Sequence, residues 1–133
     1  MTISALAKKL QLKPGMKVAL VNAPAEAAAA LRPLPEGARV SGGTSADAVI
    51  AFAKDDAELG KIAPQAVKAV RTDGLLWLAY PKGSGKLKTD LNRDVLRETA
   101  AERYGLEGVS LVAVDETWSA MRFRPKGAGK ATR

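Results

Sequence analysis

The sequence GLLWLAYPKGSGKLKTD at residues 74–90 decides the fold more than any other part of the chain. Its first half, Leu75 to Tyr80, is an unbroken apolar run, which is typical of a parallel strand buried on both faces. Pro81 has no N–H to donate to a sheet ladder, so it ends the strand. A basic, glycine-containing loop follows, and a helix is predicted beyond it.

Helical and strand patterns alternate on both sides of this segment. Helical spacing of apolar residues predicts helices over residues 3–10, 25–31, 59–70 and 91–104, and compact apolar runs predict strands over residues 18–21, 38–41 and 48–53. Asp55 or Asp56 is predicted to cap the third helix, which Pro64 is expected to kink or divide.

Turn and capping residues predict the remaining boundaries of the helices and strands. Asp73 and Gly74 predict a turn into the central strand, and Thr89 or Asp90 is expected to cap the last helix. Gly105 is placed as the glycine that ends this helix.

The chain closes with two apolar runs, residues 109–114 and 118–123, separated by a short polar turn, and these predict an antiparallel hairpin. Strands that alternate with helices and end in a hairpin indicate a three-layer, Rossmann-like α/β fold. Its sheet is expected to be mostly parallel, with about six strands. Residues 1–124 are predicted to form one domain, and residues 125–133 a basic disordered tail.

The composition argues against catalysis. The 133 residues include no cysteine and no histidine, so the commonest general base and the commonest metal ligand are both missing. We therefore predict no catalytic residue, no metal site and no cofactor. The net charge of +7 favours an anionic small molecule or an acidic partner, and leaves nucleic acid open as a partner. No apolar run is long enough for a membrane span, so a cytoplasmic protein without membrane contact is expected.

The basic loop is the predicted binding site. Ligands of open α/β sheets bind beyond the carboxyl ends of the strands, which is where this loop lies. Its glycines let backbone N–H groups turn toward an anion, and its lysines and the following helix start add positive potential. Asn22 is a further candidate because it ends the first strand. The predicted ligand-binding residues are Asn22, Lys82, Gly83, Ser84, Gly85, Lys86, Lys88, Thr89 and Arg93.

The loop is not a nucleotide triphosphatase P-loop. Tyr80 stands where the P-loop pattern needs its first glycine, and Leu87 stands where it needs the hydroxyl that binds Mg²⁺. A looser anion site and a solvated basic turn are the alternatives that this segment leaves open.

The order of elements, the Asp73-Gly74 entry to the central strand and the terminal hairpin resemble the class I methyltransferase architecture at its minimum size. That resemblance implies a glycine-rich turn after the first strand to hold S-adenosylmethionine, and an acid after the second strand to bind the ribose. The first position reads Asn-Ala-Pro-Ala-Glu at 22–26, and the second reads Ser-Gly-Gly-Thr at 41–44. We therefore expect no appreciable binding of S-adenosylmethionine.

From residue 74 onward the chain also resembles a family of small bacterial proteins that is classified only as a domain of unknown function. The shared features are GLLW at 74–77, PK at 81–82, the basic loop, GL at 105–106 and WSAMRF at 118–123. This resemblance implies a Rossmann-like fold and no established activity. The leading hypothesis is thus a non-catalytic protein that binds an anion at residues 81–89. The alternatives are a degenerate methyltransferase-like enzyme with a nucleotide-like ligand and a basic accessory protein that contacts nucleic acid.

Overall fold

The described part of the chain contains ten helices and strands. The structure, a computed structural model, describes residues 4–40, 45–82, 89–115 and 117–125. The elements are α1 (Ala5–Lys9), β1 (Lys17–Val21), α2 (Ala25–Ala30), β2 (Arg39–Val40), β3 (Ala46–Phe52), α3 (Asp56–Ala69), β4 (Val70–Pro81), α4 (Arg93–Tyr104), β5 (Leu106–Ala113) and β6 (Trp118–Pro125).

The described strands form one six-stranded sheet in the order β2-β1-β3-β4-β6-β5. The pairs β2/β1, β1/β3 and β3/β4 are parallel, whereas β4/β6 and β6/β5 are antiparallel. The predicted α/β fold, its mostly parallel core and its terminal hairpin are therefore confirmed.

The central strand β4 is buried on both faces, as its unbroken apolar pattern predicts. Leu76, Leu78 and Tyr80 pack under α3 and α4, while Trp77 and Ala79 point to the opposite face, under α1 and α2. Two apolar clusters thus lie on the two sides of one sheet, which gives the three layers. The fully buried Trp77 also donates its indole N–H to the carbonyl of Leu10, at 3.2 Å.

Two local predictions are wrong, and one alternative of a third is excluded. Asp73 and Gly74 lie inside β4 at a register irregularity, not in a turn before it. Gly74 is needed there because an added Cβ would lie 2.7 Å from a Val70 methyl group and 3.0 Å from the Asp47 carbonyl oxygen. Pro64 lies within α3, which is one uninterrupted helical element, so Pro64 does not divide the helix, and the kink stays a prediction.

The second wrong prediction concerns the start of α4. The N-cap is Asn92, whose side chain accepts a hydrogen bond from the Val95 N–H, and not Thr89 or Asp90. Gly105 ends the helix in the left-handed conformation, as predicted.

Asp47 joins three strands at the amino end of the sheet. One carboxylate oxygen accepts the backbone N–H of Lys17 in β1 at 2.8 Å, and the other accepts the Arg71 guanidinium of β4 at 2.7 Å. The hydrogen bond from Lys17, together with that from Arg71, lowers the pKa of Asp47 below its ordinary value. Asp47 therefore holds the first and central strands in register through its ionised form.

We expect Asp47→Asn to lower the urea midpoint of unfolding at neutral pH. The folded-state pKa is depressed, so the stabilisation is present above the ordinary value of 3.8 and is lost as the pH falls through the folded value. Urea titrations of both proteins at steps down to about pH 3 should show the difference shrinking with acidification. A difference that stays constant over this range would contradict the role given to the ionised carboxylate.

Trp77→Ala should cost about 3–5 kcal/mol of unfolding free energy, because a large buried side chain is removed and leaves a cavity. Trp77→Phe is the matched control, since it retains much of the ring volume and removes the N–H that the Leu10 carbonyl accepts. Chemical denaturation of both variants gives the two values. Equal losses for Ala and Phe would show that the hydrogen bond, not the volume, carries the effect.

Candidate functional site

The crossover connections leave the sheet on opposite faces at the boundary between β1 and β3. Ala27 of α2, which follows β1, packs in the cluster under α1 and α2, whereas α3, which follows β3, packs on the other face. The parallel pair β1/β3 is therefore the topological switch point of the sheet. In open α/β sheets, the crevice at the carboxyl ends of two such strands is where ligands bind.

Asn22 bridges this crevice. It follows β1 directly and has a φ of 58°, a left-handed conformation that asparagine tolerates better than most residues. Its side-chain amide donates to the Phe52 carbonyl at the end of β3, at 2.9 Å, and to Glu58 Oε1 on α3, at 2.8 Å. Asn22 lies at the predicted carboxyl end, and its amide protons join the two strands and the helix.

The start of α3 forms the other wall of the crevice. Asp55 is the N-cap, and its side chain accepts the backbone N–H of Glu58 at 2.9 Å. Glu58 in turn accepts the backbone N–H of Lys54 at 2.9 Å, on the same oxygen that Asn22 contacts. This reciprocal arrangement resembles a capping box, and it fixes both carboxylates at the mouth of the crevice.

A cavity of about 560 Å³ opens between these walls. That volume is within the range of small-molecule sites. Within the described residues, the ammonium groups of Lys54 and Lys61 have no ion-pair partner, and each of Asp55 and Glu58 keeps one oxygen that accepts no hydrogen bond. The lining residues are Val21, Asn22, Lys54, Asp55, Ala57, Glu58, Lys61, Ile62 and Gln65.

The predicted loop site lies at the neighbouring strand end and is only partly described. Gly83, Ser84, Gly85, Lys86 and Lys88 are outside the described residues. The backbone N–H of Lys82 donates to the Thr117 carbonyl at 2.8 Å, and Thr89 Oγ1 accepts the Leu91 N–H at 2.9 Å. One flank of the loop is thus bonded to the connection between β5 and β6 and the other to the segment before α4, and the role of the loop in binding stays a prediction.

The amino end of α4 carries Asp90, a predicted cap of this helix, and Arg93, a predicted ligand contact. Asp90 Oδ1 accepts the backbone N–H of Asp56, at 2.8 Å, so it caps the neighbouring helix α3 and not its own. Arg93 is exposed and lies 3.7 Å from the carboxylate of Asp94. Asn22 bonds to the end of β3 and to α3, whereas Arg93 lies beside Asp94 on its own helix.

Tyr80, near the carboxyl end of β4, belongs to the buried apolar cluster between the sheet and helices α3 and α4. Burial raises the pKa of its phenol, while the guanidinium of Arg93, the hydroxyl of Ser119 and the guanidinium of Arg97 oppose that rise. A phenol with a raised pKa stays protonated at neutral pH and donates hydrogen bonds rather than accepting protons.

Sequence reasoning missed Lys54, Glu58 and Lys61, because charged residues near a helix start ordinarily lie on a solvated surface. The spacing of Asp55 and Glu58, which fits a capping box, is the signal that could have located the wall of the crevice.

Among the described residues, no group of three or more Asp, Glu, His or Cys side chains is arranged to hold a metal ion. No described helix is long and apolar enough to cross a membrane.

Three of the solved structures that this chain resembles are methyltransferases by name. A SAM-dependent methyltransferase from Aquifex aeolicus aligns with a TM-score of 0.55 and 12% identity, over 87% of this chain and 85% of that chain. Ribosomal protein L11 methylase from Lactobacillus delbrueckii subsp. bulgaricus aligns with a TM-score of 0.53 and 14% identity, over 91% and 75%.

Phosphoethanolamine N-methyltransferase 2 from Haemonchus contortus, solved in complex with S-adenosyl-L-methionine, aligns with a TM-score of 0.57 and 16% identity. The match covers 96% of this chain and 40% of that enzyme, so the chain spans two fifths of its length. At these identities the likeness shows the fold, which is a Rossmann-like methyltransferase fold. No protein-family model and no curated protein sequence matches the chain.

The turn after β1 does not fit S-adenosylmethionine in the way that the resemblance to class I methyltransferases implies. No glycine occurs from residue 22 to 26, and Pro24, the N-cap of α2, has no N–H to offer a ligand. The Asn22 amide is already bonded across the crevice. The end of the second strand, at 41–44, lies outside the described residues.

We expect Asn22→Gly to destabilise the fold by about 1–2 kcal/mol, because two hydrogen bonds are lost while glycine still adopts the left-handed conformation. Asn22→Ala should lose about 1 kcal/mol more, since alanine is strained at a positive φ. Urea unfolding of both variants measures these losses. If glycine were as stable as asparagine, the amide bridge would contribute nothing to holding β1 against β3.

Proposed function

We propose that this chain is a non-catalytic, methyltransferase-fold domain that binds a nucleotide-like ligand in the crevice between β1 and β3. One observation carries the proposal. A cavity of small-molecule size lies at the switch point of the sheet, with two lysines and two carboxylates on its lining. The two ammonium groups can bind the phosphate of a nucleotide, and the two carboxylates can bind its ribose hydroxyls.

The ammonium groups of Lys54 and Lys61 supply the charge for a phosphate. Neither has an ion-pair partner among the described residues, so a phosphate would replace solvent and not an existing salt bridge. Lys61 comes from the second turn of α3, and Lys54 from the segment that follows β3. A hydrogen bond to a charged group contributes about 1.5–3 kcal/mol, and the exposed positions of Lys54 and Lys61 put each contact at or below the low end of that range.

The free oxygens of Asp55 and Glu58 can accept the hydroxyl protons of a ribose. Their other oxygens are held by the Glu58 and Lys54 N–H groups and by Asn22, so the carboxylates are already oriented before a ligand enters. Pre-orientation lowers the entropic cost of binding. Asn22, a predicted ligand contact, therefore takes part by positioning Glu58.

The proposal of a non-catalytic role rests on the residue types that the chain contains. It has no histidine or cysteine, so the commonest general base and the thiol nucleophile are both missing. The turn after β1 does not fit the methyl donor. Binding without methyl transfer is the function that these residues support, and a cytoplasmic location remains a prediction from the sequence.

The proposal is tested by calorimetric titration of the full chain with adenosine 5′-monophosphate, S-adenosylmethionine and inorganic phosphate. We expect the monophosphate to bind and S-adenosylmethionine not to bind. The double variant Lys54→Gln with Lys61→Gln should weaken binding of the monophosphate at least about tenfold, because two charge-assisted contacts are lost. A parallel thermal-shift series checks that the variants are folded and respond to bound ligand.

The matched control is Lys8→Gln with Lys68→Gln, which removes the same charge from exposed positions outside the cavity. Equal affinities for the two double variants, or no binding of the monophosphate by the unaltered chain, would refute the crevice site. Loss of binding in Lys82→Ala with Lys86→Ala, with the crevice variant unaffected, would instead assign the ligand to the basic loop.

A further inference from the structure

Strand β5 forms an open edge of the sheet. Within the described sheet it pairs with β6 and has no strand on its other side. It is eight residues long, it carries one charged side chain, Glu107, and its Leu111 is 43% exposed. Folded proteins usually protect an edge strand with charged residues, proline or a short length, because its unpaired N–H and C=O groups bind other strands. The edge of β5 can therefore accept an added strand.

The hydrogen bonds of the hairpin show which backbone groups face this edge. The Val114 N–H donates to the Trp118 carbonyl, so beyond the register irregularity at 108–110 the backbone groups alternate between β6 and the edge. The N–H and C=O groups of Leu111 and Ala113 face the edge. Lys9 agrees with this assignment, because its Nζ donates to the Ala113 carbonyl at 3.4 Å. The edge-facing groups of Leu111 have no strand beside them in the described sheet.

Two buried polar groups next to this edge lack partners. Ser110 of β5 and Arg122 of β6 are register partners, so their side chains share one face of the sheet, the face on which Trp77 is buried. Ser110 Oγ and Arg122 Nε are both buried, and neither has a hydrogen-bond partner within the described residues. Buried polar groups are almost always bonded in folded proteins. An unpartnered guanidinium and hydroxyl on adjacent strands therefore indicate binding of an external acceptor.

The charges around this pair favour an acidic partner. Glu107, the one acid of β5, lies on the same face and is 3.5 Å from the Arg124 guanidinium, so it is already engaged. Lys9 and Arg122 have no ion-pair partner within the described residues. A second copy of the chain would bring its own net charge of +7 to this basic edge, whereas an acidic strand would be attracted to it.

We propose that the edge of β5 binds an extended peptide of alternating acidic and apolar residues as an added antiparallel strand. The apolar side chains pack on Leu111, whose register partner Met121 lies in the cluster under α3 and α4. The acidic side chains then lie on the opposite face, beside Ser110. Two strand spacings, about 10 Å, separate their backbone from that of Arg122, and a glutamate and an arginine side chain together span this distance. The Ser110 hydroxyl lies between them and can donate to the carboxylate.

The experiment is a titration of the ¹⁵N-labelled full chain with the peptide acetyl-EVEVEV-amide, followed by NMR, with acetyl-KVKVKV-amide as the charge-reversed probe. The acidic peptide should shift the amide signals of residues 109–113, and the basic peptide should not bind. Arg122→Gln should weaken the acidic peptide at least about tenfold, because a hydrogen bond between charged groups is lost. Ser110→Ala should weaken it several-fold. Urea unfolding checks that both variants are folded.

Methylated peptides test the backbone pairing without altering the protein. In the antiparallel pairing, the valines lie opposite Leu111 and Ala113, and their N–H groups face β5. Methylation of the valine nitrogens should therefore abolish binding, whereas methylation of the glutamate nitrogens, which face solvent, should not. If neither methylation changes the affinity, the peptide does not pair with the strand and the inference is wrong.

Arg39→Gln is the matched control, because it removes one exposed arginine from β2, at the opposite edge of the sheet. Equal affinities of Arg122→Gln and Arg39→Gln for the acidic peptide, or equal binding of the two peptides, would overturn the inference. Signals of residues 109–113 that shift with protein concentration alone would assign the edge to a second copy and overturn it as well. The crevice double variant Lys54→Gln with Lys61→Gln should leave the titration unchanged, since the peptide edge is separate from the proposed nucleotide site.

Discussion

Burial of β4 on both faces is the constraint on which the rest of the structure depends. A strand with no polar face must have a neighbour on each side and a helical layer above and below, and β3 and β6 provide the two neighbours. Because β1, β3 and β4 are parallel, their carboxyl ends lie on one edge of the sheet. Polar residues that follow these strands are thereby collected at that edge, although they are far apart in sequence.

Features that follow from burial or from backbone conformation could be predicted from the sequence. Where several neighbouring polar residues can fill the same role, the sequence could not show which one does. The apolar run of β4 and the glycine after α4 each have one physical explanation, and both predictions are confirmed. Thr89, Asp90 and Asn92 can all cap a helix. Asn92 takes this role while Asp90 bonds to the backbone of α3, and that choice depends on a contact 34 residues away.

The candidate site shows the same limit. Asn22 could be found because it ends a predicted strand at a position where this architecture binds ligands. Lys54 and Lys61 could not, since a lysine beside or on an amphipathic helix has the same sequence pattern whether it faces bulk solvent or a cavity. Only the switch of crossovers between β1 and β3 makes that part of α3 a wall of the crevice.

The likeness to methyltransferases and the departure from their cofactor turn have one physical explanation at Asn22. A left-handed residue after β1 allows the chain to leave the strand, and either glycine or asparagine can adopt that conformation. Glycine leaves the adjoining space to a ligand. Asparagine fills it with an amide that bonds to β3 and α3, so intramolecular contacts replace those that a ligand would make. The fold can therefore be retained without the methyl donor, and the proposed ligand space is the lysine-lined cavity beside the bridge.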